Sequence, residues 1–269
     1  MNLLRAAIIQ MNSQPDLDLN LQNAYRSISK AAEQGAGFIT LPENFAFLGD
    51  EKSRLHLAET ICKRVTTELS QWSRELGVSL LAGGYPVKAK SGKMYNRASL
   101  FNPKGEIEVS YDKIHLFDVS LNKAESYKES RYVERGINGP IVSNTDFLPP
   151  IGLSICYDIR FPELYRKLLE KGAEIICVPA AFTKPTGKAH WEILLRSRAI
   201  ENSCFVIAPA QTGLHGLKRE TYGHSMIIDP WGTVLVNSGT EPGIAIAEID
   251  LAKLREVRNK LPSIHHRVL

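Results

Sequence analysis

The sequence predicts an α/β protein, a four-layer α-β-β-α sandwich of two mixed sheets with internal pseudo-two-fold symmetry. Three observations lead there. Apolar residues recur alternately with period two and with period 3.6, the pattern of strands alternating with helices. The order β-α-β-α-β followed by a β-hairpin occurs twice, as a repeat of pattern and not of letters. Two strands of the second half, Ile175-Ile176-Cys177-Val178 and Phe205-Val206-Ile207-Ala208, are apolar on both faces. Helices cover one face of each sheet, and packing the two sheets together covers the other.

The first half opens with a strand at 5–11 and a helix at 18–34 that sets Leu21, Ala24, Ile28 and Ala31 on one face. A strand at 38–41 runs into Pro42-Glu43-Asn44. Leu57, Ile61, Val65, Leu69, Trp72 and Leu76, three or four apart, predict a helix over 52–76. A strand at 78–84 follows, then a hairpin of 97–102 and 106–111 turning through Asn102-Pro103-Lys104-Gly105. A polar stretch at 112–146 separates the halves. The second half starts with a strand at 151–156 and a helix at 162–171, where Pro162 suits a first turn that needs no backbone N–H. A strand at 174–179, a helix at 188–202 and a strand at 204–210 come next. A hairpin of 224–229 and 233–237 turns at Asp229-Pro230-Trp231-Gly232, before a strand at 243–249 and a helix at 250–259. Each half is expected to build its own sheet.

At about 150 residues per domain, 269 residues fall between one domain and two. Because neither half can cover its own sheet, residues 1–269 are expected to fold as a single domain. A 43% apolar, 23% charged composition excludes disorder, collagen-like repetition and a disulfide scaffold. The net charge of +4 comes from basic residues scattered among acids, with no basic stripe, so no nucleic-acid partner is expected. No apolar run approaches the ~18 residues of a membrane span, and no membrane partner is expected. Met1 to Arg5 lead straight into a strand, unlike a signal peptide. Cysteines 62, 156, 177 and 204 show no Cys-x-x-Cys spacing and no neighbouring pair of histidines, so no metal and no cofactor are expected. So few thiols fit a reducing, cytoplasmic compartment.

Three strand ends carry unusual residues, and open α/β sheets place their sites where such ends converge. Glu43 follows the strand at 38–41, Lys113 the strand at 106–111, and Cys156 ends the strand at 151–156. Together they form a base, an electrostatic stabiliser and a nucleophile. Singly, Glu43 reads as a loop acid and Lys113 as a surface charge. Strand cysteines are ordinarily packing residues, which accounts for Cys177, Cys204 and Cys62. Cys156 differs, because Ile151-Gly152-Leu153-Ser154-Ile155 stops there and polar Tyr157-Asp158-Ile159-Arg160 leads to Pro162, a strand-to-helix elbow.

In order along the chain, Leu41-Pro42-Glu43, Tyr111-Asp112-Lys113-Ile114-His115-Leu116 and Cys156-Tyr157-Asp158-Ile159-Arg160-Phe161-Pro162-Glu163 resemble the three motifs of the nitrilase superfamily of carbon–nitrogen hydrolases. The resemblance spans essentially the whole chain. It implies a second glutamate after the lysine, matched by Glu129 in Tyr127-Lys128-Glu129-Ser130 with Gly136 downstream. Glu125 stands nearby, but the Glu-Ser pair and the glycine favour Glu129. The resemblance also implies the nitrilase-like sandwich reached above from pattern, assembled as a homodimer. Ala189-His190-Trp191-Glu192, Thr221-Tyr222-Gly223-His224-Ser225-Met226 and Asp229-Pro230-Trp231-Gly232 resemble the Nit branch, the deaminated glutathione amidases. The ω-amidase branch shares much of this, but tends to read Phe-Ala-Glu where this chain has Phe161-Pro162-Glu163.

The implied activity is hydrolysis of the amide of a small carboxylate-bearing substrate, deaminated glutathione above all, to acid and ammonia through a thioester acyl-enzyme. Lys113 is expected to lower the Cys156 thiol pKa by its charge. Glu43 would take the thiol proton and return one to the leaving nitrogen. Lys113 and the Tyr157 N–H would hold the oxyanion, and Glu129 would orient Lys113 or the substrate amide. Arg160 is the candidate guanidinium for the substrate carboxylate, beside Phe182 and Thr186; a salt bridge to Asp158 or Glu163 is its structural alternative. His115, His190 and His224 are read as structural, since a papain-like Cys–His pairing leaves Glu43 and Lys113 without a role. The same set would serve an ω-amidase acting on 2-oxoglutaramate, a nitrilase or a carbamoylase. A catalytically silent dimeric scaffold is the non-enzymatic alternative, and the intact Glu43, Lys113, Glu129 and Cys156 set opposes it. Gly152-Leu153-Ser154-Ile155-Cys156 ends in Cys where a serine-hydrolase elbow needs Gly, and P-loop and HExxH motifs are absent.

Overall fold

The computed structural model describes residues 3–120, 126–216 and 219–268. Three strands, β1 (Leu3–Gln10), β2 (Phe38–Thr40) and β3 (Ser79–Lys88), run parallel because helices return the chain between them. These are α1 (Leu17–Glu33) after β1, then α2 (Glu51–His56) and α3 (Ala58–Leu76) after β2. The strands β4 (Met94–Phe101) and β5 (Ile107–Asp112) extend the sheet as an antiparallel hairpin. A small hairpin, β6 (Asp118–Ser120) with β7 (Ser126–Lys128), and the short β8 (Val142–Ser143) lie within the polar stretch. In the second half β9 (Ile151–Leu153), β10 (Ile175–Cys177) and β11 (Phe205–Ala208) are again parallel, joined through α4 (Pro162–Glu170) and α5 (Lys184–Asn202). A second small hairpin, β12 (Thr212–His215) with β13 (Arg219–Tyr222), precedes β14 (Met226–Ile228) and β15 (Val234–Asn237), which extend the second sheet. The strand β16 (Gly243–Asp250) and α6 (Leu251–Lys260) follow.

The sheet orders are β16-β1-β2-β3-β4-β5 and β15-β14-β11-β10-β9-β8. Each has three parallel strands, an antiparallel hairpin on one side and a single antiparallel strand on the other, which is the expected pseudo-two-fold repeat. The halves do not each build a sheet, however. The strand β16 crosses to the first sheet and pairs with β1 over eight residues, from Leu3 opposite Asp250 to Gln10 opposite Gly243. The ladder caps a β1 edge that would otherwise expose its N–H and C=O groups; β8 does the same for β9.

Strand alternation makes the layers. Ala7 and Ile9 of β1, with Ile39 and Leu80, pack against Leu21, Ala24, Ile28 and Ala31 of α1 and Ile61, Val65 and Leu69 of α3. The intervening Ala6 and Ile8, with Phe38, Leu81, Ala98 and Leu100, share a core with Ile176, Ile207 and Ile228 of the second sheet. The α1 N-terminus is capped by the Asp16 carboxylate, which accepts from the Leu19 N–H at 3.0 Å. Gly77 in the left-handed conformation ends α3.

Several boundaries differ from the sequence reading. The helix predicted over 52–76 breaks at Leu57, whose φ of −89° and ψ of 3° leave the helical path. The β9 strand stops at Leu153 and Cys156 begins a 3₁₀ turn, Cys156–Arg160. The helix predicted from 188 starts at Lys184, with Pro185 in its first turn. Among the described residues no helix is long and apolar enough to cross a membrane. Phe38 is completely buried between the sheets, immediately upstream of the Glu43 loop. Truncation by Phe38→Ala should lower the unfolding free energy by about 3–5 kcal/mol, read from urea denaturation; a loss under about 1 kcal/mol would contradict this packing.

Candidate active site

The three chemical residues are placed by backbone contacts between strand ends. The loop from β2 to α2 lies directly on β3: a Cβ at Gly83 would fall 2.2 Å from the Pro42 carbonyl oxygen. The next residue after Glu43, Asn44, adopts a left-handed φ of 60° and donates its N–H to the Gly84 carbonyl at 2.6 Å. Lys113 leaves β5 with its N–H bonded to the Asn96 carbonyl on β4 (2.9 Å) and its own carbonyl accepting from Gly136 (2.8 Å). Only glycine fits at 136, where a Cβ would meet the Asp112 carbonyl oxygen at 2.1 Å. Cys156 sits at φ 49° and donates its N–H to the Pro179 carbonyl at 2.9 Å. A non-glycine residue held there is strained, and the surrounding fold over-determines it.

Asp158 is the fastener of that elbow. Its Oδ2 accepts from the Ile155 N–H (2.9 Å) and the Tyr111 hydroxyl (2.8 Å), and its Oδ1 accepts from the His115 N–H (3.0 Å) and meets His115 Nδ1 at 2.7 Å. One buried carboxylate thus joins the end of β5 to the cysteine turn across the two sheets. The His115 ring stacks on Phe161, with centroids 3.7 Å apart.

Glu43 and Lys113 are each 2% exposed, and Cys156 is 8% exposed. The Lys113 ammonium lies 3.2 Å from Glu43 Oε1 and 3.1 and 2.9 Å from the two oxygens of Glu129. Glu129 is held in turn by the Phe117 N–H at 2.6 Å. Glu43 accepts from Asn96 Nδ2 at 2.8 Å and from the Ala181 N–H at 2.9 Å. Every sequence-predicted catalytic residue therefore meets in one array. Glu125 lies outside the described residues.

Burial pushes the Glu43 carboxyl up, but Lys113, Arg219, the Cys156 hydrogen bond and Arg54 together outweigh it and bring it down to about 2. Burial and the Glu43 carboxylate hold the Cys156 thiol well above its ordinary value, against the opposing pull of Lys113. Burial opposes the Lys113 ammonium, yet Glu129 and Glu43 push it higher still. Lys113 does lower the thiol pKa as expected, but burial and Glu43 outweigh it, so the net direction is upward. The carboxylates consume its charge, and the resting set is a neutral thiol beside an ionised base.

A cavity of about 310 Å³ opens over this array. Tyr157, Phe182 and Thr186 line it. Arg160 stands behind Phe182, its guanidinium carbon 5.2 Å from the ring centroid, and bonds His190 Nδ1 at 3.3 Å. His224 Nδ1 faces Asn237 at 3.1 Å. Asn96, Arg54 and Arg219 were not singled out by the sequence reading. Asn96 and Arg54 had a signal, because both are polar on apolar stripes: Asn96 alternates with Met94 and Ala98, and Arg54 precedes Ala58, Ile61 and Val65. Arg219 had none. Among the described residues no cluster of His, Cys, Asp and Glu could hold a metal ion.

The sandwich, the elbow cysteine and the Glu-Lys-Glu array define a carbon–nitrogen hydrolase, and the chain belongs to that family, with residues 5–259 matching it. It is similar to the deaminated glutathione amidase of Synechocystis sp., 50% identical over 98% of this chain and 97% of that protein. The NitFhit protein of C. elegans superposes with a TM-score of 0.94 at 36% identity, over all of this chain and 66% of that one. The amidase of Nesterenkonia sp. AN1, in a mutant whose active-site cysteine carries the Michael adduct of acrylamide, superposes at 0.82 and 25% identity, over 97% of this chain and 98% of that one.

Replacing the Glu43 carboxylate removes the charge that raises the thiol and keeps the lowering pull of Lys113, with burial unchanged. Glu43→Gln should therefore shift the pH midpoint of Cys156 alkylation by iodoacetamide downward, while lowering amide turnover by roughly 10² or more through loss of the acid–base group. An upward shift of the midpoint would refute the electrostatic assignment.

Proposed function

We propose that the protein is an amidase that hydrolyses deaminated glutathione through a covalent thioester on Cys156. The observation that carries this is the Lys113 ammonium shared between Glu43 and Glu129 beside a buried thiol, in a cavity with arginines in its wall. The similarity to the Synechocystis amidase supports the substrate.

An amide carbonyl is a poor electrophile, so attack requires a deprotonated sulfur at the moment of bonding and a stabilised oxyanion. Glu43, ionised and hydrogen-bonded to the thiol, takes the proton as sulfur attacks. The developing oxyanion is held by Lys113 and by the Tyr157 N–H, which falls in the first turn of a 3₁₀ segment and has no intrahelical acceptor. Protonated Glu43 then delivers its proton to the leaving nitrogen. From the peptide-type amide of deaminated glutathione that group departs as an amine, which corrects the expected ammonia; ammonia leaves only from a primary amide such as that of 2-oxoglutaramate. Water deprotonated by Glu43 attacks the thioester and regenerates the thiol. Glu129, gripping Lys113 with both oxygens, keeps the ammonium aimed throughout. Phe182 and Thr186 shape the substrate pocket, and Arg160 packs against the Phe182 ring outside the cavity lining.

The reading extends to a cytoplasmic homodimer. All four cysteines are free thiols, which fits a reducing compartment; light scattering should give twice the mass of one chain, and a monomeric mass would remove the dimer.

The decisive assay compares formation of 2-oxoglutarate from deaminated glutathione and from 2-oxoglutaramate. A kcat/KM at least tenfold higher for the first is expected. The reverse ratio would make the protein an ω-amidase, and turnover of neither would leave the scaffold reading. Cys156→Ala should bring either rate below detection, and near-normal turnover by that variant would end the thioester mechanism.

A further inference from the structure

Arg54 is 1% exposed, and among the described residues only one of its three guanidinium nitrogens is paired: Nη1 meets Glu51 Oε2 at 3.1 Å. Its Nε and Nη2 are buried without a hydrogen-bond partner. Arg219, on β13, is in a similar state, with Nη2 donating to the Ala181 carbonyl at 3.2 Å and a buried, unpartnered Nε. Both side chains line the cavity over Cys156. The Ala181 peptide connects them to the chemistry, since its N–H holds Glu43 while its carbonyl holds Arg219. Buried guanidinium nitrogens left unpaired are costly, and planar forks of this kind match carboxylates.

We infer that Arg54 and Arg219 form the subsite for a carboxylate on the acyl side of the substrate amide. The acyl group stays on sulfur while the amine leaves, so the amine must face the open end of the cavity and the acyl chain the closed end, where Arg54 is buried. In a 2-oxoglutaryl group the carboxylate is carried four bonds from the scissile carbonyl, and Arg54 and Arg219, in the wall of the same cavity, supply its two partners. Glu51, itself in the cavity wall, pairs Arg54 through one nitrogen and leaves the other two for the ligand. Arg160 is then not the principal carboxylate anchor. This inference rests on the site being one for an amide whose acyl part bears a carboxylate.

The test uses protection of Cys156 from iodoacetamide, which needs no turnover. The probes are 2-oxopentanoate, which carries the recognised carboxylate alone, and 2-pentanone, which lacks it. In the unsubstituted protein 2-oxopentanoate should protect at far lower concentration than 2-pentanone. Arg219→Gln and, separately, Arg54→Gln should each shrink that ratio roughly 10- to 100-fold, the worth of a charge-assisted hydrogen bond. Arg54→Lys keeps the charge and gives up the fork, so it should shrink the ratio by less, and it decides for Arg54 where the glutamine variant does not fold. A ratio unchanged in Arg219→Gln and in the folded Arg54 variant, or a ratio near one in the unsubstituted protein, overturns the subsite. Turnover of deaminated glutathione with an unchanged ratio removes the arginine subsite alone. Loss of the ratio in a protein that does not turn over that amide removes the substrate and leaves the subsite standing.

Discussion

A buried ammonium governs this molecule. Lys113 comes from the first sheet, and an isolated charge in so dry a place would be untenable, because the penalty of removing an ion from water is several kcal/mol. Glu43 and Glu129 satisfy it on two sides, and removing one partner of such a set is worth about 3–5 kcal/mol. Each partner must then be brought to Lys113 by backbone that has no freedom to drift. The glycines at 83 and 136, the Asn44 left-handed turn and the Phe117 N–H meet that requirement.

The same constraint explains the protonation pattern. With two carboxylates around one ammonium, the local field at the thiol is not the field of a bare cation. Sulfur stays protonated at rest, and the base beside it stays ionised. In the proposed mechanism such a thiol is activated only during attack, when its proton moves to Glu43, which couples nucleophilicity to substrate in place. Asp158 adds the mechanical half of the arrangement. By bonding Tyr111 and His115 from the lysine segment and Ile155 from the cysteine elbow, it fixes the two sheets in register at the point where the chemistry occurs.

Much of this was legible in the letters. Period-two and period-3.6 patterns located the helices and the central strands, because burial of one face leaves a periodic trace. Glu43, Lys113 and Cys156 were recognisable as strand-end residues, and Glu129 by resemblance. What escaped was of two kinds. The small hairpins β6–β7 and β12–β13 are short and polar, with too few residues to show a period. Asn96 and Arg54 were visible only as polar breaks in apolar stripes, and such breaks name no partner.

The sequence by itself determined the layer architecture and the identity of the reactive groups, since both follow from local chemistry: apolar periodicity for the first, and unusual residues at strand ends for the second. Only the tertiary structure decided where β16 goes, because an edge ladder is chosen by which neighbour is unpaired and not by the strand's own residues. It also decided the direction of the Cys156 pKa, which depends first on how deeply the thiol is buried and then on the opposing Glu43 and Lys113 charges. Arg219 belongs to the same class: nothing local marks it, and it reaches the cavity only because the second half folds back over the first.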